Sequence, residues 1–223
     1  MAVVNTNVGA SVAQAALMKN ERALGTAMEQ LSTGKRINAA GDDASGLAIS
    51  ARMTSQIRGL ETSIRNANDA ISMVDTAEGA LDEITEMLQR IRELAVQSGT
   101  GTTSSDDRTY MDAEFNQLRL EIDRIAKNTE WNGATVIDGT RGSAGTVTYQ
   151  VGVDGGQTLS VDFGDMTASS GTMASLNGGA VGLNGGTTAS GITLAASVIT
   201  ITDAAIGAVS SQRATFGATS NRL

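Results

Sequence analysis

The sequence of 223 residues carries a formal charge of −8 and contains no cysteine and no histidine. Those absences exclude disulfides, thiol chemistry, serine–histidine catalysis and HExxH zinc chemistry, and leave carboxylate-only catalysis open. The negative balance argues against nucleic acid and against anionic membrane surfaces, since both call for a basic face.

Hydrophobic residues make up 40% of the chain but aromatic residues only 3%. Any core is therefore aliphatic, which suits helices packed along their length. No apolar run approaches the roughly 18 residues that span a bilayer, so no membrane insertion is expected. The opening MAVVNTNVGAS lacks the basic and apolar regions of a cleaved signal peptide.

The first helix is predicted from about Thr6 to Leu31. Leu17, Leu24 and Leu31 recur every seventh residue, with Met28 beside them. So thin a stripe does not hold a lone helix in water and calls for partners along it.

The span LSTGKRINAAGDDASGLAIS (31–50) then reads as a hinge. Gly34 suits a left-handed C-cap, Gly41 and Gly46 let the backbone turn, and Asp42 and Asp43 are placed to cap the next helix. The two aspartates could be a metal or catalytic pair, but a helix start directly after them favours capping.

The second helix is predicted over Ala44–Gln97, about 80 Å at 1.5 Å per residue. Met53, Ile57, Leu60, Ile64, Ala67, Ile71 and Val74 alternate steps of four and three, a heptad seam. After a double step of three around Ala77, a stammer, the seam resumes through Leu81, Ile84, Leu88, Ile91 and Ala95. The third helix follows the loop SGTGTTSSDD, capped by Ser104 or Ser105, with Asp106 and Asp107 in its first turn. Its seam is Met111, Phe115, Leu118, Ile122 and Ile125, and it should fold back antiparallel on the second. All these seams are expected to bury one another as a bundle, from Met53 onward.

The pattern then changes. Asn132-Gly133 reads as a turn, the bland alternative to a reactive Asn-Gly site. Fifteen of the 26 glycines fall between Gly133 and Gly191. Thr146–Val153 and Thr158–Phe163 alternate as strands around Asp154-Gly155-Gly156, a hairpin. Residues 165–191 read as an exposed, loop-rich excursion with few anchors. A last helix is expected to start at Asp203, with Ile206, Val209, Phe216 and Leu223 on one face. The fold class is thus mainly α: a long coiled-coil-like rod of antiparallel helices with a small β-hairpin and glycine-rich insert. No constellation supports catalysis, a cofactor or a metal.

LSTGKRINAAGDDASGLAIS resembles the N-terminal signature of bacterial flagellins. The likeness continues through SIRNANDAIS (63–72), TAEGALDEI (76–84), LQRIRELAVQS (88–98) and LRLEIDRIAKNTEWNG (118–133), and DAAIGAVSSQRATFGATSNRL resembles the start of the family's C-terminal helix. It covers about residues 1–140 and 198–223. The resemblance implies a secreted, extracellular structural protein of the bacterial flagellum, exported by the flagellar type III machinery, whose copies self-assemble into the helical filament used for motility. The implied domains are an inner-tube helix and hinge (1–40), a helical rod (41–140 with 198–223) and a variable insert (141–197). A junction protein or a secreted helical adhesin is the alternative.

Family members continue past this sequence with a segment that pairs with the first helix, so the chain as given is not expected to grow filaments alone. By the same resemblance, Gln89, Arg90, Leu94 and Glu114 match positions contacted by the vertebrate Toll-like receptor for flagellin, although Leu118 and Arg119 depart from the family arrangement nearby. The bland reading of LQRIREL is packing between rods, with Arg90 in an ordinary helix-surface pair with Glu93 or Glu86.

Overall fold

The computed structural model describes residues 7–168, 171–177, 181–185 and 187–223. Four helices, α1 (Val8–Thr33), α2 (Ala44–Ser98), α3 (Ser105–Asn128) and α4 (Thr188–Ser220), account for most of them. Two antiparallel strand pairs, β1 (Glu130–Trp131) with β2 (Ala134–Thr135) and β3 (Thr146–Gln150) with β4 (Thr158–Asp162), lie between α3 and α4. The chain divides into two compact units, Met1–Gly59 and Leu60–Leu223.

In the first unit, α1 is capped by Asn7, whose side chain accepts from the Ala10 N–H at 3.1 Å. The expected start at Thr6 lies outside the described residues. The helix ends at Gly34 in the left-handed region, φ 66°, as a glycine C-cap requires. None of its residues is buried.

The connector to α2 is tied down by hydrogen bonds. Thr33 Oγ1 donates to Asn38 Oδ1 at 2.9 Å, and Gln30 Nε2 donates to the Arg36 carbonyl at 2.9 Å. The two aspartates part roles. Asp43 caps α2 by accepting from the Gly46 N–H at 2.8 Å. Asp42 turns back and accepts from the Asn38 and Ala39 N–H groups at 3.0 Å each, which holds its carboxyl below the ordinary range. The expectation that both cap the helix is corrected for Asp42. Gly41 and Gly46 keep φ outside the positive region, so Gly34 is the residue that supplies the left-handed turn here.

In the second unit, α3 and α4 both run antiparallel to α2. Arg90 of α2 pairs with Glu114 of α3 at 2.8 Å. Arg92 of α2 pairs with Asp203 of α4 at 2.6 Å, and Arg213, ten residues further along α4, reaches back to Asp82 at 2.8 Å and Glu78 at 3.6 Å. Exposed pairs of this kind add little stability, but they fix the register. The core follows the predicted seam: Ala77, Leu81, Ile84, Leu88, Ile91 and Ala95 of α2 and Phe115 and Ile122 of α3 are fully buried.

The seam is not buried from Met53, however. Met53, Ile57, Leu60 and Ile64 are 51–61% exposed, Ala67 and Ile71 are half-buried, and the first buried member of the seam is Val74, with Ala70 and Met73 buried beside it. A four-three pattern marks a face that can be covered; only a neighbouring element covers it.

Ser104 caps α3 in a capping box with Asp107: the Asp107 N–H donates to Ser104 Oγ at 3.1 Å, and Asp107 Oδ2 accepts from the Ser104 N–H at 3.3 Å. Arg108, 1% exposed, turns back onto the C-terminal end of α2 and donates to the Ser98 and Thr100 carbonyls. A cation there complements the negative end of the helix.

Asn132 (φ 51°) and Gly133 (φ 73°) form the two-residue turn between β1 and β2, as the Asn-Gly dipeptide requires. The β3–β4 hairpin pairs Thr146 with Asp162 and Gln150 with Thr158. It docks through the buried Leu159 and Val161, through the Asn66 side-chain amide on the Gln150 carbonyl at 3.0 Å, and through Gln212 on the Asp162 carbonyl. Phe163 packs on Phe216 of α4 with ring centroids 5.4 Å apart.

Three further expectations give way. Residues 165–191 are not an unanchored excursion, because Met166, Met173, Leu176 and Leu183 are buried in the core. The Leu183 N–H donates to Asp112 of α3 at 2.7 Å, and residues 174–177 form a short 3-10 turn. The last helix does not start at Asp203. It starts at Thr188 behind the N-cap Thr187, and Asp203 serves as an ion-pair partner in mid-helix. Finally, Ala189–Ser220 is long and apolar enough to cross a bilayer by length and composition, a stretch the sequence reading passed over. Here its Ala195, Val198, Ala205, Val209 and Phe216 belong to the core cluster.

Candidate functional site

Two surfaces are candidates for contact with a partner. The first is the charged face where α2 meets α3. Arg90 Nε donates to Glu114 Oε1 at 2.8 Å across the two helices, and Arg90 Nη1 donates to Glu93 at 3.1 Å along its own helix. The hydrogen bond that Arg90 donates to Glu114 is the largest cause holding its guanidinium more firmly protonated than usual, followed by the one it donates to Glu93. Gln89, Arg90, Glu93 and Glu114 are all exposed, so the group offers an amide, a guanidinium and two carboxylates to anything that approaches.

Leu94 does not share this surface. It is 2% exposed and belongs to the core cluster. Of the four predicted contact residues, the structure brings three together at the surface and turns the fourth inward.

The second surface is apolar and was legible only in part. On α1, Leu17, Leu24, Met28 and Leu31 are 61–86% exposed. On α2, Ile49, Met53, Ile57, Leu60 and Ile64 are 46–61% exposed. These are two helical faces whose side chains are core-like in composition and wet in the single chain. The thin stripe on α1 gave the signal for a partner; the one on α2 was hidden because it continues a seam that is truly internal further along.

Among the described residues no group of three or more Asp or Glu side chains converges as metal ligands would.

A family profile, the bacterial flagellin N-terminal helical region, matches residues 4–141. Flagellin of Salmonella muenchen is 46% identical over 168 residues, which is 75% of this chain and 32% of that protein. Flagellin A of Vibrio anguillarum is 47% identical over 156 residues, 70% of this chain and 40% of that protein. The crystal structure of Bacillus cereus flagellin matches with a TM-score of 0.58 and 33% identity, covering 71% of this chain and 84% of that one. The chain therefore spans between 32% and 40% of the length of these two curated relatives.

Proposed function

The chain belongs to the bacterial flagellin family, a family of structural proteins and not of enzymes, and from that premise we propose that it serves as a structural subunit of the bacterial flagellar filament. An open-ended helical polymer needs one interface that repeats from copy to copy without closing. The observation that carries the reading is the 26-residue α1, which buries no residue of its own yet presents Leu17, Leu24, Met28 and Leu31 on one face. Such a helix is marginal alone in water, and covering its stripe with other subunits supplies the missing burial. The partners are further copies of the subunit, reached after export by the flagellar type III machinery, and the site of action is outside the cell. Residues 1–40 would then line the inner tube, 41–140 with 198–223 would form the surrounding helical layer, and 141–197 would supply the variable insert, its last residues already within α4.

An antibody raised against this chain should decorate the flagella of the bacterium that makes it along their whole length. Label confined to one end of each filament would assign it to a junction instead, and label on the cell body alone would favour an adhesin.

A second reading concerns the charged face. Gln89, Arg90 and Glu114 lie exposed across the α2–α3 boundary, which supports a contact with the vertebrate Toll-like receptor for flagellin by a monomer.

A further inference from the structure

We propose that Met28 and Met53 are peroxide-sensitive modification sites, and that their oxidation to sulfoxide blocks subunit association while Met18, oxidised beside them, has no such effect. The consequence for association rests on the filament reading above; the order of oxidation does not.

Seven of the nine methionines fall into two groups by exposure. Met18, Met28 and Met53 are 48%, 66% and 53% exposed. Met73, Met111, Met166 and Met173 are between 0% and 8% exposed, and the Met73 sulfur also accepts a hydrogen bond from the Tyr149 hydroxyl at 2.8 Å. A thioether reacts through its sulfur lone pair, so the oxidant must reach the sulfur. In the exposed group it arrives through solvent. In the buried group it must wait for local opening of the fold.

The chemistry needs only hydrogen peroxide. The sulfur lone pair attacks one peroxide oxygen and forms the S–O bond as the O–O bond breaks. The sulfur loses two electrons to the peroxide, and the departing oxygen leaves as water after taking the remaining proton. The product is a polar, chiral sulfoxide where a flexible apolar chain had been.

The three exposed methionines differ in where they point. At 3.6 residues per turn, Met28 lies roughly 40° around α1 from Leu24, on the stripe, whereas Met18 lies roughly 120° from it, on the flank. Met53 lies in line with Ile49, Ile57 and Leu60 on α2 by the same geometry. A sulfoxide on either stripe must give up its water when the stripe is covered, and burying a polar oxygen without a partner opposes contact. A sulfoxide at position 18 stays in solvent and carries no such penalty. Nature thus places an internal control on the same helix.

Two measurements test this. Peptide mass spectrometry of the folded chain after graded peroxide should find Met18, Met28 and Met53 oxidised at least about tenfold faster than Met73, Met111, Met166 and Met173. Equal rates in both groups would overturn the assignment whatever the chain's function. Next, binding of the chain to sheared filament seeds is read by co-sedimentation before and after peroxide treatment, a measurement that needs attachment to a filament and not growth of one. Binding should fall at least about tenfold after oxidation, persist in the M28L/M53L double variant, and still be lost in M18L. Undiminished binding of the oxidised protein, or protection by M18L alone, overturns the inference. Failure of the untreated chain to join seeds would overturn the filament reading, and the association consequence with it, while the oxidation order stands on its own result.

Discussion

The buried guanidinium of Arg108 donates from Nε to the Ser98 carbonyl at 2.9 Å and from Nη2 to the Thr100 carbonyl at 2.8 Å. One side chain from the first turn of α3 thereby closes the end of α2. It also touches α4: a Cβ added at Gly191 would sit 2.7 Å from Arg108 Cδ, so the absence of a side chain there lets α4 begin against it. Arg108→Ala should cost about 2–4 kcal/mol, since it strands the buried Ser98 carbonyl as well as removing two charged hydrogen bonds. Urea denaturation of the variant checks this, and a loss under about 1 kcal/mol would show that solvent replaces the guanidinium without penalty.

Leu94 and Arg90 were paired by resemblance as contact residues, and the structure separates them. Arg90→Ala and Glu114→Ala should each change stability by less than about 1 kcal/mol, as exposed ion-pair substitutions do, yet weaken receptor activation in a reporter cell line. Leu94→Ala should instead cost about 2–5 kcal/mol by opening a cavity in the core. Dose–response curves measured beside thermal melts separate the cases. Unchanged activation by folded Arg90→Ala and Glu114→Ala proteins would count against the receptor reading.

Hydrogen exchange should be slowest in α2 from Met73 to Ala95, in α3 around Phe115 and Ile122, and in α4 from Ala195 to Phe216, where the apolar contacts are dense. The N-terminal half of α2 and the whole of α1, which present their apolar residues to solvent, should exchange much faster. Protection in α1 equal to that at Leu88 in the dilute single chain would contradict the burial pattern.

Acid should loosen the start of α3 and the connector before α2 first. The Ser104 hydroxyl, then its N–H, hold the Asp107 carboxyl below its ordinary value of 3.8, and the Ala39 and Asn38 N–H groups do the same for Asp42. Both pKa values are depressed in the fold, so both contribute stability that is full above the unfolded value and lost as pH falls through the folded one. Amide exchange at Asn38, Ala39 and Asp107 should therefore accelerate below about pH 4, the ordinary aspartate range. Asp42→Asn and Asp107→Asn should remove that acid response at their respective ends, and a response that survives both would assign it to other groups.

What the sequence determined by itself was local or periodic. The four-three spacing of Leu81, Ile84, Leu88 and Ile91 selects a helix and a face, because both follow from 3.6 residues per turn. Gly34 and Asn132-Gly133 mark their own turns, and the Ser104-Ser105 pair marks the start of α3, because each acts on backbone groups within a few residues; that Ser104 is the cap and Asp107 its partner came from the structure. The motifs from LSTGKRINAAGDDASGLAIS to NTEWNG carried the family. What only the tertiary structure decided was which faces stay wet. Met53, Ile57 and Leu60 share the spacing of Ile84, Leu88 and Ile91, yet the first group meets water and the second meets α3 and α4, a difference of neighbours and not of pattern. The same holds for the glycine-rich stretch, where Met166, Met173, Leu176 and Leu183 look too sparse to anchor anything until α3 and α4 supply the surfaces that bury them. It holds for α4 as well: Gly191 reads as a helix breaker from propensity, and becomes a requirement once Arg108 stands where its side chain would be. Burial depends on what lies across the gap, and the sequence of one helix does not contain the position of the next.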